Sequence, residues 1–168
     1  MLRCEMIPVK LTHEEEIIAA AYGYERTMKA KIQGFEDRSF QKLNFADKIA
    51  RDVESTGAEI AVARYLGLKD FKPDNDAFKN FADIGFNIEV KWTKWKDGSL
   101  ILDDRQREND VAILVTGNMP NLYVCGWTPV SMARRPSRRR SDGCYWIGQS
   151  DLYPMNDFLR SSYGNPEA

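Results

Sequence analysis

In Phe86-Asn87-Ile88-Glu89-Val90-Lys91-Trp92 the side chains of an extended chain alternate, so Ile88, Val90 and Trp92 face one side while Glu89 and Lys91 share the other. An acid and a lysine thus point together from one strand. Asp83 lies six residues before Glu89, across Gly85, and pairing of the two segments would bring its carboxylate beside Glu89. Two adjacent carboxylates repel unless a cation joins them, and a divalent metal is the natural third party. Asp83, Glu89 and the Val90 carbonyl offer the hard oxygens that Mg²⁺ takes at roughly 2.0 to 2.1 Å. Lys91 is placed to position a water or to steady a phosphate charge, and such a site hydrolyses phosphodiesters. The competing expectation is a solvated Glu89–Lys91 pair on an exposed edge strand.

A further acid stands in Gly57-Ala58-Glu59-Ile60-Ala61-Val62-Ala63-Arg64-Tyr65-Leu66-Gly67, where Glu59 shares a helix face with Val62, Ala63 and Leu66. A carboxylate so surrounded is either paired or employed, since burying it alone is costly. Arg64, five positions on, is a poor helix-face partner.

Other chemistries are short of residues. The single histidine, His13, sits in Thr12-His13-Glu14-Glu15, which reads as a helix start with Thr12 as N-cap and Glu15 completing a capping box. That leaves little for Ser-His-Asp, Cys-His or His-zinc chemistry. Cys4, Cys125 and Cys144 are odd in number and far apart, which suits reduced thiols rather than a disulfide framework or zinc ribbon.

The elements that must carry these residues follow from periodicity. Ile17, Ile18, Ala21, Met28 and Ile32, with acids early and lysines late, predict a helix from Thr12 to about Gln33, stopped by Gly34. Phe45, Ile49, Val53 and Ile60 predict a second helix from Asn44 or Phe45 to Leu66, stopped by Gly67, with Gly57 marking a break or a close contact. After a turn-rich stretch, strands are expected over 81–84, 86–93, 99–102, 111–115 and 122–127. The β-branched run Val111 to Val115 suits a strand covered on both faces. Pro136 lies in the only linker candidate, Cys144 to Ile147 is a short apolar return, and residues 161–168 read as a loose tail. The expected fold class is α/β or α+β, with helices first and a mixed sheet after.

Glu59 in a Gly-Ala-Glu-Ile-Ala helix, then Asp83, then Glu89-Val90-Lys91, resembles the PD-(D/E)XK nuclease superfamily over about residues 44–127. Ala82 precedes Asp83 where that superfamily often has a proline, which bears no ligand. The resemblance implies a restriction-endonuclease-like core, a mixed sheet flanked by helices. It implies Glu59, Asp83 and Glu89 as metal ligands, Lys91 as the catalytic lysine, and Mg²⁺ or Mn²⁺ as the cofactor. It also implies a small stand-alone deoxyribonuclease of the kind that phages encode, dimeric if both strands are cut. On this reading residues 1–168 form one domain, divided into an N-terminal helical arm (1–43), a catalytic core (44–130) and a basic loop with C-terminal segment (131–168).

A net charge of −1 excludes a protein that coats nucleic acid by charge alone, yet it hides two basic stretches. Arg134, Arg135, Arg138, Arg139 and Arg140 crowd one, and Lys94 and Lys96 alternate with Trp92 and Trp95 in the other. Both suit phosphate contact, with Trp92 expected in the core and Trp95 able to stack on bases. With 43% apolar and 29% charged residues, the chain can build a core and is not disordered. No apolar run reaches bilayer-spanning length and no signal core opens the sequence, so no membrane partner and a cytosolic location are expected. A noncatalytic nucleic-acid-binding or protein-interaction module on the same fold, and a nuclease acting on RNA, are the alternatives.

Overall fold

The computed structural model describes residues 5–34, 42–74 and 82–164. Cys4, Phe81 and the end of the expected tail, 165–168, lie outside them. Among the described residues the chain is a mixed α+β fold built on a four-stranded mixed sheet.

Helix α1 (His13–Ile32) starts with the expected capping box: the Thr12 hydroxyl accepts from the Glu15 N–H while the Glu15 carboxylate accepts from the Thr12 N–H. Acids fill its first turn, Lys29 and Lys31 its last, and Gly34 at φ +70° lets the chain leave. Helix α2 (Phe45–Tyr65) is capped by Asn44 and stops before Gly67 at φ +76°. The helices pack closely because α1 turns Ala19, Gly23 and Thr27 inward; a Cβ on Gly23 would lie 2.5 Å from the Val53 Cα. Gly57 is likewise a close contact, facing Met119, and does not break α2.

The main sheet runs β1 (Ile7–Lys10), β5 (Asn121–Pro129), β4 (Val111–Asn118), β2 (Ile88–Thr93). β2 is parallel to β4, and the other neighbours are antiparallel. β4 is buried from Val111 to Thr116, as its β-branched run predicts for a strand covered on both faces. One face packs on α2, with Ala58, Ala61 and Val62 in a common core with Ile88, Ile113 and Val115. The other face carries a two-stranded ribbon, β3 (Leu100–Leu102) paired antiparallel with β6 (Tyr145–Ile147), whose inward residues meet Ala112, Leu114 and Cys125. No described helix is long and apolar enough to cross a membrane.

Three sequence expectations need correction. The helices do not come first: β1 precedes them as an edge strand on β5, a short proline-containing segment too brief to announce itself by alternation. The segment around Pro136 is no linker, because after α3 (Val130–Ala133) it forms a 3-10 turn and Arg139 bridges to Tyr145. The described part of the tail is not loose: beyond α4 (Met155–Phe158), Tyr163 packs on Trp127 with ring centres 5.9 Å apart.

Candidate active site at the open edge of strand β2

The segments on either side of Gly85 do pair. Ile84 and Ile88 exchange backbone hydrogen bonds of 3.1 and 3.2 Å around Gly85, whose φ of +58° favours a residue without a Cβ. The same register sets Asp83 opposite Glu89. The Val90 N–H then donates to Asp83 Oδ2 at 2.8 Å. Val111 N–H donates to the Asn87 carbonyl, so the odd-numbered residues bond β4, while on the other side Ile88 bonds Ile84 and the Val90 N–H bonds Asp83.

Alternation places Glu89 and Lys91 on the face opposite α2, because Ile88, Val90 and Trp92 pack with the α2 core. Lys91 Nζ lies 3.7 Å from Glu89 Oε2, both groups half-buried. Trp92 is a core residue, as expected, with its indole N–H donating to the Gly117 carbonyl at 2.9 Å. The Asp103 carboxylate, which feels the charge of Lys91, accepts from the Arg105 backbone and guanidinium. Burial pushes the Asp103 carboxyl up, but the Arg105 hydrogen bonds and the charges of Arg105 and Lys91 outweigh it and hold the group below its ordinary value.

Glu59 is placed differently from the other acids. Its two carboxylate oxygens accept from Arg26 Nη1 and Nη2 at 2.7 and 2.8 Å, a bidentate pair hidden between α1 and α2. The Arg26 Nε–H donates to the Asp74 carbonyl, and the Asp83 charge also acts on this guanidinium. Arg64, the partner weighed from sequence, turns instead to Glu15 and to the Lys10 carbonyl. His13 is exposed at the start of α1, 3.9 Å from Glu16, as a helix-terminus residue should be.

Among the described residues no three His, Cys, Asp or Glu side chains gather closely enough to hold a metal. The β2 edge nonetheless fits Mg²⁺ or Mn²⁺ by donor type: Asp83, Glu89 and the Val90 carbonyl are hard oxygens on adjoining positions. Mg²⁺ commonly takes only one or two protein carboxylates and fills its shell with water and substrate phosphate. Asn87, just before β2 and in phase with Glu89 and Lys91, has a buried Oδ1 with no hydrogen-bond partner among the described residues. Glu59, bonded to Arg26 between α1 and α2, lies on the α2 side of the sheet, away from the face that carries Glu89 and Lys91.

The basic stretches divide by use. Arg134 donates to the Asp104 carbonyl, Arg139 pairs with Asp104 at 3.3 Å, and Arg138 approaches Asp151 at 3.9 Å. Arg135, Arg140, Lys94 and Lys96 are exposed, and none has a carboxylate partner among the described residues. Through Asp104, the neighbour of Asp103, the arginine segment is tied to the loop that feels the charge of Lys91. Compared with protein-family models, curated proteins and solved structures, the chain matches none.

Sequence reasoning missed Arg26. Its signal was the stripe Ala19, Gly23, Arg26, Thr27 on α1, small residues at i, i+4 and i+8 that mark a close-packed face with one cation in it. Asp103 reads from sequence as a turn cap, and it does accept the Arg105 N–H, but its electrostatic link to Lys91 depends on a long-range fold.

Proposed function

We propose that this chain is a metal-dependent nuclease that hydrolyses phosphodiester bonds of DNA at the open edge of β2, on a restriction-endonuclease-like core. The observation that carries the reading is the Asp83–Val90 hydrogen bond, which draws an acid from a preceding segment onto the strand bearing Glu89 and Lys91. Asp83, Glu89 and the Val90 carbonyl would hold Mg²⁺ or Mn²⁺, with Glu59 able to join only through a rearrangement that frees it from Arg26 and brings it to the β2 edge. A divalent cation bound there supplies Lewis-acid stabilisation of phosphate charge and eases deprotonation of water. Lys91 donates to the attacking water or to a phosphate oxygen, with the Glu89 carboxylate 3.7 Å away steadying its ammonium. The mixed sheet with α2 across one face supports the fold assignment.

One observation favours a second reading, a noncatalytic nucleic-acid-binding module: Arg26 already neutralises Glu59. Thermal denaturation with and without Mg²⁺ or Mn²⁺ separates the two. A cation site in the folded state raises the melting temperature with metal concentration, and Glu89→Ala abolishes that rise. No metal-dependent rise in the folded wild type would leave the noncatalytic module standing.

A further inference from the structure

Gln149 Nε2 donates to the carbonyls of Lys96 and Gly98, at 2.8 and 3.0 Å, and so fastens the turn carrying Lys94, Trp95 and Lys96 to the end of β6. Because β3 and β6 are antiparallel, this turn lies at one end of the ribbon, and the arginine segment, bridged through Arg139 and Tyr145, lies at the other. Between them the ribbon's outer face is the cross-strand pair Ile101 and Trp146, since Leu100, Leu102, Tyr145 and Ile147 point into the core. A three-residue ribbon is roughly 10 Å long, so the two basic stretches that are far apart in sequence bound one short surface.

The chemistry at both ends is alike. Trp95 is 63% exposed, with Lys94 Nζ 4.7 Å from its ring centre. From the other end the Arg140 guanidinium reaches 4.2 Å over the ring of Trp146, which is itself anchored by its N–H to Asp142. Planar π-surfaces flanked by cations suit bases that are free to stack and a backbone that carries a charge beside each base. A duplex hides its base faces and would meet the exposed cations alone.

We propose that the outer face of the β3–β6 ribbon is a track for an unpaired DNA strand, with Trp95 stacking a base at one end, the Arg140–Trp146 pair stacking another further along the ribbon, and Lys94 and Lys96 meeting phosphates. This rests on the reading of the chain as a protein that acts on DNA, and it narrows the substrate to one with a single-stranded segment.

Fluorescence anisotropy with a labelled 15-nucleotide oligothymidine and a 15-base-pair duplex, both in EDTA, tests the track apart from any cleavage. The single strand is expected to bind more tightly. Trp95→Ala and Arg140→Ala should each weaken it by roughly tenfold, Trp95→Ala leaving duplex binding unchanged and Arg140→Ala weakening the duplex less than the single strand, as expected where stacking contributes. Lys94→Gln with Lys96→Gln should lower the slope of log affinity against log salt by about 1.4, at about 0.7 per phosphate contact. Circular dichroism confirms that each variant is folded. Tighter binding of duplex, or single-strand binding indifferent to both Trp95 and Arg140, would overturn the track even if metal-dependent cutting is observed. Single-strand binding that depends on both residues would sustain it even if no cutting is observed, so the two readings fail separately.

Discussion

Arg26 holds both carboxylate oxygens of Glu59, joining α1 to α2 where the two side chains are only 9% and 5% exposed. Breaking such a pair from one side leaves an uncompensated buried charge, which typically costs about 3 to 5 kcal/mol, whereas removing both charges costs far less. Arg26→Met is therefore expected to lose about 3 to 5 kcal/mol in urea denaturation, and Arg26→Met with Glu59→Gln to recover most of it. An equal loss in the double variant would mean that the charges themselves contribute little and that packing of the Arg26 stem dominates.

The same helix pair is sensitive at Gly23. A Cβ there would meet Val53 backbone atoms at 2.5 and 2.6 Å, and backbone cannot rotate away as a side-chain end can. Gly23→Ala should cost about 1 to 3 kcal/mol despite the better helix propensity of alanine. Gly57→Ala meets the Met119 thioether instead and should cost less. Denaturant midpoints of the two variants, measured together, check the ranking.

Asp103 gives a pH dependence with a definite sign. Its carboxyl is held below the ordinary carboxylate value in the folded protein, so the ionised group stabilises the fold above the unfolded value of about 3.9, and that contribution fades as pH falls through the folded value. The melting-temperature difference between wild type and Asp103→Asn should be constant near neutrality and shrink below about pH 4. A difference that grows on acidification would reverse the assignment.

Much of the framework was legible because it is local. The Thr12–Glu15 capping box, Gly34 and Gly67 as helix stops, and the doubly buried β4 each follow from a few neighbouring residues. The pairing across Gly85 was legible for the same reason, whereas the hydrogen bond that Asp83 accepts from the Val90 N–H was not. What the sequence hid is non-local: Arg26 reaches Glu59 across 33 positions, and Gln149 reaches Lys96 across 53. Five arginines crowded in sequence read as one patch, whereas the fold turns Arg134 and Arg139 onto Asp104 and leaves Arg135 and Arg140 outward. Composition can count such charges but cannot show which are already paired.

Lys91 as part of a phosphodiesterase site is tested by comparing wild type with Lys91→Ala on single-stranded, linear duplex, circular and branched DNA, with Mg²⁺, Mn²⁺ or EDTA. Lys91 is half-buried at an edge strand with Glu89 beside it, so its truncation should leave the fold intact. Metal-dependent cutting by wild type, none in EDTA, and at least a hundredfold loss in Lys91→Ala are expected, of the order of general acid–base contributions. Undiminished cutting by Lys91→Ala, or no cutting of any substrate by the folded wild type with either metal, would contradict that site assignment.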